Sequence, residues 1–140
     1  MSKTDEVIAV VDGSYSDETK LYSYGVVVSL PDGTELARLN GIGDDEQAKP
    51  ERNVAGEVLS ATKAIEWANA NGYHKLLIKH DYKGIGDWVS GQWKANSYCA
   101  TKYKKFVDEM KTKIEIDFIK VPRSEVKEAD KLAAEARTKR

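Results

Sequence analysis

One cysteine, three prolines and two histidines in 140 residues leave several functional classes without their raw material. The lone Cys99 has no partner for an internal disulfide or a multi-cysteine metal site, and no catalytic signature surrounds it; it reads as an unreactive thiol. With 10 glycines, 41% hydrophobic and 32% charged residues, the chain is neither collagen-like, low-complexity nor disordered in composition. No apolar run approaches the roughly 18 residues that cross a bilayer. Residues 1–6 carry no charged-then-apolar leader pattern, which predicts a cytoplasmic protein with no membrane partner. The length suits one domain, residues 1–140, able to bury roughly two thirds of its unfolded surface.

The net charge of −1 conceals an asymmetry. Residues 1–70 hold 6 basic against 13 acidic side chains, whereas residues 71–140 hold 16 against 10. Either these charges interleave in space, or a cationic surface lies beside an anionic pocket, as in a metal-dependent enzyme acting on a polyanion.

Periodicity sets the elements. Residues 7–11 form a short apolar run ending at Asp12-Gly13-Ser14, a buried strand stopped by a turn with Asp12 at the strand end. Residues 24–30 are a second β-branched run, Pro31-Asp32-Gly33 a turn and residues 34–40 an outer strand, together an antiparallel meander. Residues 41–52 read as a polar loop. Val54, Val58, Ala61, Ile65 and Ala68 then fall at i, i+4, i+7, i+11 and i+14, the stripe of an amphipathic helix ending near Asn71-Gly72. Leu76-Leu77-Ile78 is a strand running into Asp81, residues 84–91 and 98–113 are helical, and residues 114–118 alternate as a strand. A closing helix starts near Ser124. The order β-β-β-α-β-α-α-β-α predicts an α/β fold, a mixed sheet flanked by helices with right-handed parallel crossovers.

Four acids interrupt or border apolar elements: Asp12, Glu57, Asp81 and Asp130. If the first and fourth strands are neighbours, Asp12 and Asp81 lie side by side, and Glu57 reaches them from the first turn of the long helix. Carboxylates converging without Lys, Arg or His either rise in pKa or bind divalent cations. All-oxygen ligands suit Mg²⁺ or Mn²⁺. A pair of such ions serves in-line phosphodiester hydrolysis, while each acid taken singly also fits a cap or a turn.

The segments Val11-Asp12-Gly13-Ser14, Asn53-Val54-Ala55-Gly56-Glu57, His80-Asp81-Tyr82-Lys83-Gly84-Ile85-Gly86-Asp87-Trp88 and Ala129-Asp130-Lys131-Leu132-Ala133 resemble, in the family's order, those of type 1 ribonuclease H. The likeness is to bacterial members whose relatives often carry a separate hybrid-binding, viroplasmin-like module. It implies the ribonuclease H-like fold: a five-stranded mixed sheet, three antiparallel strands followed by parallel ones. It also implies that Asp12, Glu57, Asp81 and Asp130 are the catalytic carboxylates holding two Mg²⁺, with Mn²⁺ as a substitute. The implied reaction is cleavage of the RNA strand of an RNA/DNA hybrid, leaving 3′-hydroxyl and 5′-phosphate ends, by a monomer. Gly13, Ser14 and Asn53 would meet the RNA strand in the minor groove, where the 2′-hydroxyl distinguishes RNA from DNA. Trp93 and Lys94, within the basic and aromatic stretch from Trp88 to Lys105, fall where relatives hold the DNA strand. Trp88 and Tyr103 also fit helical core positions.

The sequence departs from the family before Asp130. Where relatives carry a mobile loop with a histidine followed by Gly and Asn, this chain has Lys120-Val121-Pro122-Arg123-Ser124-Glu125-Val126-Lys127-Glu128-Ala129. Glu125 and Glu128 are the candidates in this loop for a substitute carboxylate near a second metal ion. Neither histidine fills the gap: His80 alternates with Asp81 and so points to the other face of the sheet, and His74 lies past the long helix. The altered loop motivates a rival reading, a noncatalytic module binding hybrid or duplex RNA. A 3′–5′ exonuclease on this fold is disfavoured, because the second residue after Asp12 is Ser14 rather than Glu.

Overall fold

The computed structural model describes residues 5–138. Most of the residue 1–6 segment that bears on a leader, and the last two residues of the expected 1–140 domain, lie outside that range. The elements run β1 (Glu6–Ser16), β2 (Leu21–Ser29), β3 (Glu35–Ile42), α1 (Asn53–Ala70), β4 (Lys75–His80), α2 (Gly84–Ser90), α3 (Tyr98–Met110), β5 (Glu115–Lys120) and α4 (Lys127–Thr138). Short 3-10 turns at Lys49–Glu51 and Arg123–Glu125 precede α1 and α4. The strands form one five-stranded sheet in the order β3-β2-β1-β4-β5. β1 and β2, and β2 and β3, are antiparallel; β4 lies parallel to both β1 and β5. This is the mixed sheet expected from the element order. No helix among the described residues is long and apolar enough to cross a membrane.

Three boundaries correct the sequence reading. β1 does not stop at Asp12 but continues to Ser16, hydrogen-bonded to β2 through the pairs Asp12↔Gly25 and Ser16↔Leu21. The Asp-Gly-Ser signal mimics a turn because its real cause is packing rather than chain reversal. Pairing with β4 ends at Val10↔Lys79, so Asp12 stands just past the point where one of β1's two neighbours stops. The closing helix also starts later than Ser124, after the 3-10 turn, and α3 ends at Met110, leaving residues 111–113 for a tight turn into β5.

Side-chain alternation assigns the two faces. Val7, Ala9 and Val11 on β1 and Leu76 and Ile78 on β4 are fully buried and pack with Ala61, Ala64, Ile65 and Ala68 of α1. Trp88 and Tyr103 belong to the same core, and the Tyr103 hydroxyl donates to the Ile85 carbonyl at 2.7 Å. α4 packs on the opposite face, over β1, β2 and β3, with Ala129, Ala133 and Ala136 buried.

Candidate active site

Two close backbone approaches fix the acids. A Cβ built on Gly13 would sit 2.1 Å from the Glu57 nitrogen and 2.2 Å from the Gly56 carbonyl carbon, and one on Gly56 would sit 2.5 Å from the Ser23 oxygen. Any side chain at either position would push α1 off β1. With hydrogen at both, the first turns of α1 rest directly on the strand, and Glu57 arrives beside Asp12. On the other face a Cβ on Gly25 would lie 2.0 Å from the Ala129 oxygen. Gly25 is the β2 partner of Asp12, so the small residue opposite Asp12 is what seats the turn of α4 carrying Asp130. That helix is fastened further by the Ser23 hydroxyl donating to the Ala133 carbonyl at 2.6 Å and by the Asn40 amide donating to the Leu132 carbonyl at 2.7 Å.

Oxygens of Asp12, Glu57 and Asp81 lie within 4.8 Å of one another. Asp81 follows the end of β4, the parallel neighbour of β1, so the adjacency of β1 and β4 on which the convergence depended is present. Asp12 and Glu57 are buried, and both Asp12 oxygens and Glu57 Oε1 are inaccessible and without a hydrogen-bond partner. Burial is the first cause of the raised Asp12 pKa, pushed up to about 7, and the charge of Asp81 is the second. Glu57 is pushed up as well, by burial and then by Asp12. Orphaned buried carboxylate oxygens are costly unless a cation or proton meets them. Their all-oxygen, multiply anionic character fits a hard divalent cation.

Asp130 is outside this tight trio. It lies at the edge of the site, its side chain 45% exposed, and is joined to Asp81 by a residue absent from the sequence reading of the acids. Arg123 Nη1 donates to Asp81 Oδ2 at 3.0 Å, and Arg123 Nη2 lies 3.7 Å from Asp130 Oδ1. The expectation of carboxylates converging without a basic partner is therefore corrected. No spacing rule announces Arg123; it arrives through the turn. Val121 donates its backbone N–H to the His80 carbonyl at 2.7 Å, tying the exit of β5 to the end of β4, and buried Val121 and Val126 flank the turn. The arginine between them overhangs Asp81. Asp12 first and Asp81 second raise its pKa, so it stays charged.

The other candidates are spread around this centre. Gly13 and Ser14 continue β1 beyond Asp12, and the Ser14 hydroxyl accepts from Arg137 Nε of α4 at 3.1 Å. Asn53 opens α1, one helical turn before Glu57 and on the same side of the helix. Trp93 is partly exposed, packed edge-on against Trp88 and Tyr82, with Lys83 Nζ 5.6 Å above its ring; Lys94 beside it is exposed. Glu128 is turned away, ion-paired with Arg38 of β3 at 3.0 Å, and Glu125 is exposed on the turn outside the acidic group. The placement of α4 against the meander removes Glu128 as a substitute carboxylate. His80 is buried, its Nδ1 2.9 Å from the Tyr82 carbonyl oxygen, among Phe118 and Gly86. His74 is exposed beside Asp5. Cys99 is buried, its thiol pushed up to about 12 by burial.

The family model described as reverse transcriptase-like matches residues 10–136. Among solved structures, ribonuclease H1 from the halophilic archaeon Halobacterium salinarum NRC-1 superposes with a TM-score of 0.82 at 22% identity, covering 94% of this chain and 96% of that one. The N-terminal ribonuclease H domain of Rv2228c from Mycobacterium tuberculosis, solved as a fusion with maltose-binding protein, gives 0.81 at 23% identity, covering 94% and 92%. LC11 ribonuclease H1, isolated from compost and solved in complex with an RNA/DNA hybrid, gives 0.81 at 18% identity, covering 93% and 95%. No curated protein matches the sequence.

Proposed function

This chain belongs to the reverse transcriptase-like family and has the type 1 ribonuclease H fold, and from that premise we propose that it is a divalent-metal-dependent endonuclease cleaving the RNA strand of RNA/DNA hybrids. The observation that carries the reading is the convergence of Asp12, Glu57 and Asp81 within 4.8 Å, three of their buried oxygens without a partner. A structural acid cluster would be expected to satisfy those oxygens from the backbone. A metal site would not, because its ligands must keep lone pairs free.

In this proposal Asp12, Glu57 and Asp81 hold Mg²⁺, with Mn²⁺ as a substitute, and Asp130 completes a site for two ions from the edge. When bound, the cations supply the Lewis acidity that activates water and offsets charge on the phosphodiester, yielding a 3′-hydroxyl and a 5′-phosphate. The chain's own groups orient the substrate. The backbone at Gly13 and Ser14, and Asn53 one helical turn before Glu57, would meet the minor groove and its 2′-hydroxyls. Trp93 and Lys94 would contact the DNA strand, the lysine through phosphate. Specificity then comes from hybrid shape rather than base edges. The enzyme would act as a cytoplasmic monomer built from one catalytic domain.

The test is cleavage of a strand-labelled hybrid beside matched RNA/RNA and DNA/DNA duplexes, in Mg²⁺, in Mn²⁺ and in chelator. Metal-dependent cutting confined to the RNA strand of the hybrid is expected. Binding without cutting in either metal would instead make the chain a noncatalytic hybrid-binding module.

A further inference from the structure

Arg123 lies between two carboxylates assigned to metal, yet its side chain is 71% exposed and its turn is anchored by the valines on either side rather than by the arginine. A guanidinium has five N–H donors on a planar fork, enough to span two acids at once. Here one arm meets Asp81 at 3.0 Å and the other approaches Asp130 at 3.7 Å. Asp130 is 45% exposed and Asp81 12%, both within the arginine's reach, while Asp12 and Glu57 are buried and make no hydrogen bond to it. A divalent cation seated among Asp12, Glu57 and Asp81 needs lone pairs on Asp81, and a second ion needs Asp130. The same lone pairs cannot serve the arginine fully at the same time.

We propose that Arg123 is a built-in counter-ion of this site, neutralising Asp81 and Asp130 while the site is free of metal and competing with the divalent cation for those carboxylates. The inference rests on the metal-binding reading above. It assigns Arg123 a positioning role that sets cation affinity. Because the side chain is exposed and hinged on a short turn, it can leave without disturbing the core. The free energy that holds it in place is subtracted from the free energy of cation binding, a coupling between two ligands of one site.

Isothermal titration of Mg²⁺ and of Mn²⁺ into the full chain without nucleic acid tests this. Arg123→Gln is expected to bind cation about tenfold more tightly than the parent, and Arg123→Lys, which keeps the charge but loses the fork, to fall between them. Lys127→Gln is the control for net charge, since Lys127 is exposed on the same segment and makes no ion pair among the described residues; it should change affinity less than twofold. In chelator, Arg123→Gln should melt below the parent and gain more from added Mg²⁺. Unchanged or weaker binding by Arg123→Gln overturns the proposal, and so does equal tightening by Lys127→Gln. If the parent itself binds neither cation, the metal-binding reading fails and the competition falls with it, an outcome distinct from a parent that binds and a variant that matches it.

Discussion

Asp12 and Glu57 are held by contacts between backbones, whereas Asp81 and Asp130 meet through one exposed side chain. In the first pair, α1 lies so close to β1 that only hydrogen fits at Gly13 and Gly56, and the acids have no protein partner for three of their oxygens. In the second pair, a guanidinium supplied by a short turn takes up the charge. Rigid packing can force an unfavourable convergence because the whole core opposes its relaxation. The exposed side needs no such force, and its charge is met by a group that can move.

The contrast predicts a graded response to substitution. Asp12→Asn should lower hybrid cleavage on the order of 10³-fold or more while circular dichroism shows an intact fold. Full activity in that variant would remove Asp12 from the site. Gly13→Val should instead act on folding, costing about 3 kcal/mol or more because backbone, not a flexible tip, lies at 2.1 Å; urea titration measures it. Asp130→Asn, at the exposed side, should lose at least about tenfold less activity than Asp12→Asn, and equal losses would erase the distinction between the two pairs.

The buried pair also has a pH signature. Asp12 keeps its proton up to about 7 when folded, whereas the unfolded chain releases it near 4. The folded state therefore binds more protons between those values, so its stability is fully present below the unfolded pKa and is lost as pH rises through the folded one. In chelator the melting temperature should decline from about pH 4 to about pH 7 as the Asp12 difference is lost, and further above it because Glu57 is pushed up to about 10; Asp12→Asn should make the lower part of that decline shallower. A flat parent profile would contradict the burial argument. The smallest effect is expected far from both pairs: Lys94→Gln should weaken hybrid binding by less than about 1 kcal/mol and reduce the slope of log affinity against log salt by about 0.9.

The acids were legible in the sequence because each breaks an apolar pattern: Asp12 at the end of a β-branched run, Glu57 on the opening turn of a periodic helix, Asp81 just past Leu76-Leu77-Ile78. Local periodicity carries that information. The role of Arg123 was not legible, since it depends on a hydrogen bond between Val121 and His80 that only the parallel pairing of β4 and β5 creates. The extent of β1 was hidden for a related reason. Glycine at position 13 spells a turn locally, but tertiary packing demands it in the middle of a strand. Glu128 misled in the opposite direction, because closeness in sequence to Asp130 says nothing about Arg38 waiting on β3.

The contact between Gly13 and Gly56 also constrains how this chain can change. Most packing defects can be repaired elsewhere, a larger side chain here offset by a smaller one there. At these two positions the neighbour is main chain, which has no smaller version. No second-site substitution restores the space, so each position is closed to drift on its own account, and the meeting of Asp12 with Glu57 is protected by two residues that carry no functional group at all.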